Sequence, residues 1–287
     1  MGSSSSKMGP IKKVAIFGAG TMGCGIAIAI AQSGMKVIVK SRDNAQKIFQ
    51  GVRIRLEKYI EKGEVSLEES NSIISNIYSA TDIEVIFDVD IVIETIVEDL
   101  AEKRKLFKQL SKHCKSNTII ATNTSSISIE ELALAIEHAN RFIGLHFFNP
   151  ADRMKLVEIV KSRYTSNMVV QKIKFFLKNI GKDFIVIYDT PGFVVNRLLF
   201  SMINDGAYML MEGVAKKEEI DKAMCLGANH PLGPFALADL VGIDVCFNII
   251  KRLNSHKITK EPCPLFIRMI KEGKLGKKRG EGFYKYI

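Results

Sequence analysis

Lys13-Val-Ala-Ile-Phe-Gly-Ala-Gly-Thr-Met-Gly-Cys-Gly-Ile-Ala27 opens with an apolar run, Val14 to Phe17, that reads as a buried strand. Gly18, Gly20 and Gly23 follow in G-x-G-x-x-G spacing, and a small-residue helix, Ile26 to Gln32, comes next. Each glycine has its own task. Gly18 allows the tight turn out of the strand, Gly20 leaves the backbone open to a pyrophosphate, and Gly23 lets the helix pack close to the sheet. The helix start offers free N–H groups and the positive end of its dipole to the phosphates. Lys36 to Val39 supplies a second strand. Strand, glycine turn, helix and strand in this order predict a dinucleotide-binding unit, with Thr21 and Met22 inside the contact segment.

The tip of the second strand bears on which dinucleotide. NAD binders usually place Asp or Glu there, roughly 20 residues after the glycines, on the ribose 2′-OH. Here the chain reads Val39-Lys40-Ser41-Arg42. The Ser41 hydroxyl and Arg42 guanidinium both suit a 2′-phosphate, so NADP(H) is favoured. Asp43 keeps NAD(H) open, because a shift of one residue would bring a carboxylate to the ribose.

Outward from this unit, 287 residues lead us to expect two domains. The composition, 47% hydrophobic and 25% charged, is that of a globular chain with a sizeable core. No run reaches the roughly 18 apolar residues of a membrane span. Residues 1–10 read as an appended tail and are set aside. Five scattered cysteines without a C-x-x-C pair argue against a disulfide framework and structural zinc, and fit a reducing cytoplasm. The net charge of +10 suits a polyanionic small-molecule substrate. The basic residues are interspersed with acids and form no aromatic-interleaved stripe, so nucleic acid is not the expected partner.

Strands alternate with helices through the first part: 77–80, 90–94, 118–121, 141–147, 155–160 and 184–188, with helices at 99–114, 128 onward and 166–180. This predicts a Rossmann-type, doubly wound, mostly parallel sheet. Two helices, 43–62 and 66–75, interrupt the alternation, the second begun by the capping box Ser66-Leu-Glu-Glu69. The basic face of the first is either a solvated surface or an arm for substrate phosphates. From Thr190 the pattern turns all-helical, with a long helix opened by Pro191 and others near 217–226, 233–254 and 263–272. The domains are therefore expected at 11–189 (dinucleotide-binding) and 190–287 (helical, for substrate and dimerisation). The apolar residues of Phe193 to Met211 span more than one stripe, which suggests a helix buried on more than one side.

Polar clusters at the ends of apolar runs mark the chemistry: Ala121-Thr-Asn-Thr-Ser-Ser126, His146-Phe-Phe-Asn-Pro150 and Glu158 inside Lys155 to Val160. Ligands of open α/β sheets bind at the carboxyl ends of the strands. An alcohol dehydrogenation needs a base near neutral pH, and His146 is the best placed of five histidines. Glu158, costly in an apolar strand unless paired, would orient its imidazole. Ser125 and Asn196 could donate to the substrate oxygen. The plainer alternatives are a hydrogen-bonded strand-end histidine, an exposed glutamate, a helix cap and an ordinary polar helix residue.

At these residues the chain resembles the 3-hydroxyacyl-CoA dehydrogenase family, in particular its short bacterial 3-hydroxybutyryl-CoA dehydrogenases. The resemblance is carried by Gly18-Ala-Gly-Thr-Met-Gly23, Asn123-Thr-Ser-Ser126, His146-Phe-Phe-Asn-Pro150, Met154-Lys-Leu-Val-Glu158, Asp189-Thr-Pro-Gly-Phe-Val-Val-Asn-Arg-Leu-Leu199 and Gly280-Glu-Gly-Phe-Tyr284. It implies His146 as general acid/base with Glu158 as partner, Ser125 and Asn196 on the 3-oxygen, and Asn149 in support. It places Glu98, Lys103, Asn123 and Lys278 at cofactor-contacting positions, and Arg55 and Lys62 near the coenzyme A contacts. The implied reaction is acetoacetyl-CoA to (S)-3-hydroxybutyryl-CoA, in a homodimer joined through the helical half, without metal. Ser41-Arg42 departs from the family's acidic strand tip. A dehydrogenase of a CoA-free hydroxy acid, and a cofactor-binding protein without turnover, are the alternatives.

Overall fold

The computed structural model describes residues 10–42, 44 and 46–286. The chain divides into two compact units, 1–189 and 190–287. Residues 1–9 of the expected tail and Asp43, the alternative ribose partner, lie outside the described residues.

The first unit holds β1 (Val14–Phe17), α1 (Thr21–Ala31), β2 (Val37–Lys40), α2 (Lys47–Glu61), α3 (Leu67–Ser75), β3 (Ile77–Ala80), β4 (Ile91–Glu94) and α4 (Leu100–His113). It continues with β5 (Ile119–Thr122), α5 (Ile129–Ala133), β6 (Phe142–Phe147), β7 (Leu156–Lys161), α6 (Asn167–Asn179) and β8 (Asp183–Tyr188). The eight strands form one sheet in the order β3-β2-β1-β4-β5-β6-β7-β8. All neighbours are parallel except β6 and β7, which run antiparallel. This is the expected Rossmann-type, mostly parallel sheet.

The apolar runs make the strands because both faces of a parallel sheet are covered. β1 and β4 are buried at every position. Helix α1 is buried from Gly23 to Ala31. Its Ile26, Ile28 and Ile30 are wholly enclosed, each stabilising by roughly 1.5–3 kcal/mol. The capping box at Ser66 forms as its residues predict: Ser66 Oγ accepts from the Glu69 N–H, and Glu69 Oε2 accepts from the Ser66 N–H.

The second unit contains α7 (Val195–Met211), α8 (Lys217–Gly227), α9 (Pro234–Val241), α10 (Ile243–Ser255) and α11 (Pro264–Lys271), around Phe200, Ile203, Phe235, Ile250, Phe266 and Phe283. Two expectations are corrected here. The long helix starts at Val195 and not at Pro191, because Gly192 (φ 76°) and Phe193 (φ 51°) take the left-handed conformation and form a turn first. The stretch 233–254 is two helices, broken where Gly242 takes φ 107°. Within its own unit α7 buries one stripe, Phe200, Ile203, Asn204 and Ala207, while Leu198 and Met211 stay exposed.

Candidate active site

The glycine turn leaves β1 and enters α1 as its spacing predicts. Gly18 has φ 118°, and a Cβ there would stand 2.6 Å from the Thr95 carbonyl oxygen. A Cβ on Gly23 would lie 1.9 Å from the carbonyl oxygen of Gly18, so helix and turn touch only because that side chain is missing. Gly20, the N-cap of α1, is different: a Cβ there meets nothing within 4 Å. Open space beside a glycine, at the start of a helix with no acidic residue in its first turn, fits a pyrophosphate. Thr21 is exposed and Met22 half-buried at the same helix start. A cleft of about 980 Å³, lined by Gly18, Gly20, Lys40, Arg42, Lys47 and Thr95 among others, opens along this edge of the sheet. The residues present therefore suit a dinucleotide.

At the tip of β2 one expectation changes. Ser41 is buried; its N–H donates to the Ala80 carbonyl and its hydroxyl donates to the Asn44 carbonyl at 2.5 Å. The hydroxyl proton expected on a 2′-phosphate is turned into the loop. Arg42 is exposed on the cleft wall, with Lys40 and Lys47 beside it and Asp82 and Glu102 as the acids of the same cleft.

The antiparallel pairing of β6 and β7 sets His146 directly opposite Glu158. Imidazole Nδ1 and carboxylate Oε2 are 2.6 Å apart, and both side chains are buried. A carboxylate only accepts, so Nδ1 carries the hydrogen in this pair. The Phe148 ring lies 4.6 Å from the imidazole, centroid to centroid. Asn123, at the end of β5, accepts from the Phe147 N–H at 2.9 Å and ties the two strand ends together. Asn149 is exposed in the turn that follows, and Ser125 is exposed in the loop after β5.

Beneath that loop lies a buried network that sequence reasoning did not assemble. Glu94 ends β4 with no exposure. Its Oε1 accepts from Lys103 Nζ at 2.5 Å and from the Ile96 N–H, and its Oε2 accepts from Thr122 Oγ1 at 2.6 Å. Lys103 Nζ also stands 3.4 Å from Glu98 Oε2. Glu98 Oε1 accepts from Thr124 Oγ1, the Ser125 and Ser126 N–H groups and Ser126 Oγ. Burial pushes the Glu94 carboxyl above the usual range despite the ammonium beside it. Burial acts the same way on Glu98, but the Thr124 hydrogen bond and the Lys103 charge outweigh it and hold that carboxyl below the usual range. Lys103, expected on a cofactor, is 1% exposed, and its ammonium is held by the two carboxylates. An available signal was its place on the inner stripe of α4 with Phe107 and Leu110.

Arg55, implied near the coenzyme A contacts, is held by partners within the protein. Its guanidinium turns inward to Asp152 and to the Thr21 carbonyl, whereas Lys62 is exposed at the C-cap of α2. In the second unit Asn196 is half-buried near the start of α7, and Lys278 Nζ donates to Asp244 Oδ1 at 2.5 Å. Among the described residues no group of three or more His, Cys, Asp or Glu side chains could hold a metal ion, and no helix is long and apolar enough to cross a membrane.

Comparison with known proteins gives the family. Residues 13–190 match the family model of the 3-hydroxyacyl-CoA dehydrogenase NAD binding domain, and residues 192–286 match that of the 3-hydroxyacyl-CoA dehydrogenase C-terminal domain. The chain is 42% identical over 280 residues to a 3-hydroxybutyryl-CoA dehydrogenase of Clostridioides difficile, covering 96% of this chain and 99% of the relative. It is 39% identical to the mitochondrial hydroxyacyl-coenzyme A dehydrogenase of Homo sapiens, over 99% of this chain and 94% of that one. The crystal structure of (S)-3-hydroxybutyryl-CoA dehydrogenase from Ralstonia eutropha superposes with a TM-score of 0.90 at 40% identity, covering 96% of this chain and 99% of that one.

Proposed function

The chain belongs to the 3-hydroxyacyl-CoA dehydrogenase family and is an oxidoreductase, and we propose that it interconverts acetoacetyl-CoA and (S)-3-hydroxybutyryl-CoA with NADP(H). The observation that carries the chemistry is the buried pair of His146 and Glu158, 2.6 Å apart at the carboxyl end of β6. The bound nicotinamide supplies or accepts the hydride at C3. In the reducing direction His146 gives its Nε2 proton to the 3-oxygen as negative charge gathers there. In the oxidising direction it takes that proton back, and Glu158 stabilises the imidazolium through Nδ1. Ser125, in the loop held by Glu98, donates to the 3-oxygen, and Asn196 keeps the substrate-contacting role that the resemblance gives it.

Two features support the substrate and cofactor. Arg53, Lys58 and Lys62 are exposed along α2 and suit the phosphates of coenzyme A. For NADP(H), the cleft at the β2 tip carries Lys40, Arg42 and Lys47, and a serine stands where a carboxylate would bond a ribose. With the Ser41 hydroxyl turned inward, the preference rests on these cations and on the missing carboxylate. Exposed Leu198, Leu226 and Leu240 on the second unit support a homodimer. The five free thiols support a reducing compartment such as the cytoplasm.

The test is a nicotinamide absorbance assay with acetoacetyl-CoA and NADPH or NADH in parallel, with free acetoacetate as control. Turnover of the thioester with NADPH preferred is expected. Equal or better turnover of the free acid, or strict use of NADH, overturns the corresponding part.

A further inference from the structure

The turn that follows the His146 strand is gripped from two sides. From α2, Arg55 Nη1 bonds Asp152 Oδ1 at 2.7 Å, with the Asp152 side chain 1% exposed. From the other side, Lys182 Nζ donates to the main-chain carbonyls of Asp152 and Met154, at 3.3 and 2.9 Å. Arg153 lies over the Tyr59 ring of α2 and pairs with Glu64. Arg55 has a further attachment: Nη2 donates to the carbonyl of Thr21, in the first turn of α1 beside the glycine loop. Gly25 of α1 makes room for this, since a Cβ there would stand 2.4 Å from Arg55 Nη1. One guanidinium thus joins three segments far apart in sequence. They are the start of α1 under the dinucleotide cleft, the middle of α2, and the turn four residues beyond His146-Phe-Phe.

We propose that Arg55 is a positioning residue which, paired with Asp152, holds the start of α1 and the turn after β6 in one register, coupling cofactor binding to the placement of His146. The planar guanidinium suits this work: its two terminal nitrogens hold two different acceptors in a rigid fork, whereas an ammonium reaches several acceptors without fixing the angle between them. Arg53, Lys58 and Lys62 remain on the outer face of α2 for solvent or substrate, while Arg55 is turned to the interior. The catalytic part of the proposal rests on the dehydrogenase reading above; the cofactor-binding part does not.

The test is a double-variant cycle with Arg55→Ala and Asp152→Ala in the full-length chain. Cofactor dissociation constants are read from nicotinamide fluorescence, and kcat and KM from acetoacetyl-CoA reduction. Each single variant is expected to weaken cofactor binding and lower kcat by about tenfold, and the double variant to be no worse than either. Arg55→Lys is expected to restore little, because it loses the two-pronged geometry. Asp152→Asn, which keeps one acceptor, is expected to restore part. If Arg55→Ala does not fold, these two conservative changes form the cycle instead. The proposal is overturned by multiplicative effects. It is also overturned by an Arg55→Ala variant that raises only the KM for acetoacetyl-CoA while Asp152→Ala behaves as the parent, or by variants that only melt earlier with constants unchanged. Should the parent reduce no acyl-CoA at all, the dehydrogenase reading fails, while the fluorescence cycle still decides the brace.

Discussion

Lys103 stands between two carboxylates, 2.5 Å from Glu94 Oε1 and 3.4 Å from Glu98 Oε2, and only the second of these reaches the loop that carries Ser125. The loop that carries Ser125 is therefore tied through Glu98 and Lys103 to the end of β4. His146 is held separately, by Glu158 on β7.

If His146 moves the proton, His146→Gln keeps the size and polarity of the side chain but removes the acid/base. We expect kcat to fall by about 10²–10⁴-fold with KM for acetoacetyl-CoA little changed. Steady-state kinetics check this, and near-normal turnover would refute the assignment.

If the cations of the β2 tip set the cofactor preference, changing the tip should shift it. Ser41→Asp combined with Arg42→Ala adds a carboxylate to the β2 tip and removes one cation from the cleft. The ratio of kcat/KM for NADPH over NADH is expected to fall by about 10²-fold, near 2.7 kcal/mol of discrimination. An unchanged ratio would show that this tip does not read the ribose.

Gly20 and Gly23 are expected to separate binding from stability. Gly20→Ala points into open space and leaves the melting temperature within a few degrees of the parent, while cofactor affinity drops. Gly23→Ala drives a methyl into the Gly18 carbonyl, so the melting temperature falls as well. Calorimetry with fluorescence titration distinguishes them, and a Gly20→Ala variant that binds cofactor normally counts against the pyrophosphate site.

Glu98 makes folding stability depend on acid. Its carboxyl is held below the ordinary value of 4.5, so the folded state binds fewer protons than the unfolded one. Its contribution is complete above about pH 5 and is lost as pH falls through the depressed folded value. Urea unfolding between about pH 5 and pH 3 should give a shallower slope for Glu98→Gln than for the parent. Equal slopes would place the acid sensitivity elsewhere.

Glu94→Ala leaves the Lys103 ammonium buried with one distant partner, and is expected to cost about 3–5 kcal/mol. Glu94→Gln, whose one amide oxygen still accepts from Lys103 while its NH2 can donate to the Thr122 hydroxyl, should cost less. Denaturant midpoints check the order, and equal losses would mean that the charge of Glu94 is not what Lys103 needs.

Local pattern alone accounts for the strand and helix sequence of the first unit, for the distinct jobs of Gly18, Gly20 and Gly23, and for the suspicion that a glutamate in an apolar strand needs a partner. Those are properties of a few adjacent residues: strand alternation, cap chemistry, the room around a missing side chain. The helix starting at Val195 and the break at Gly242 were missed for a related reason. Apolar periodicity runs smoothly through both places, and only the backbone angles adopted on packing reveal the turns.

The side-chain partnerships were settled by the tertiary structure. Nothing along the sequence says that Ser41 turns its hydroxyl to Asn44, that Lys103 is enclosed between Glu94 and Glu98, or that Arg55 faces Asp152, 97 residues away. Helical spacing can turn a lysine inward, as with Lys103, but it does not name the carboxylate that meets it. The choice depends on which strand ends the sheet order brings together, and on the cost of leaving a charge unpaired once they meet.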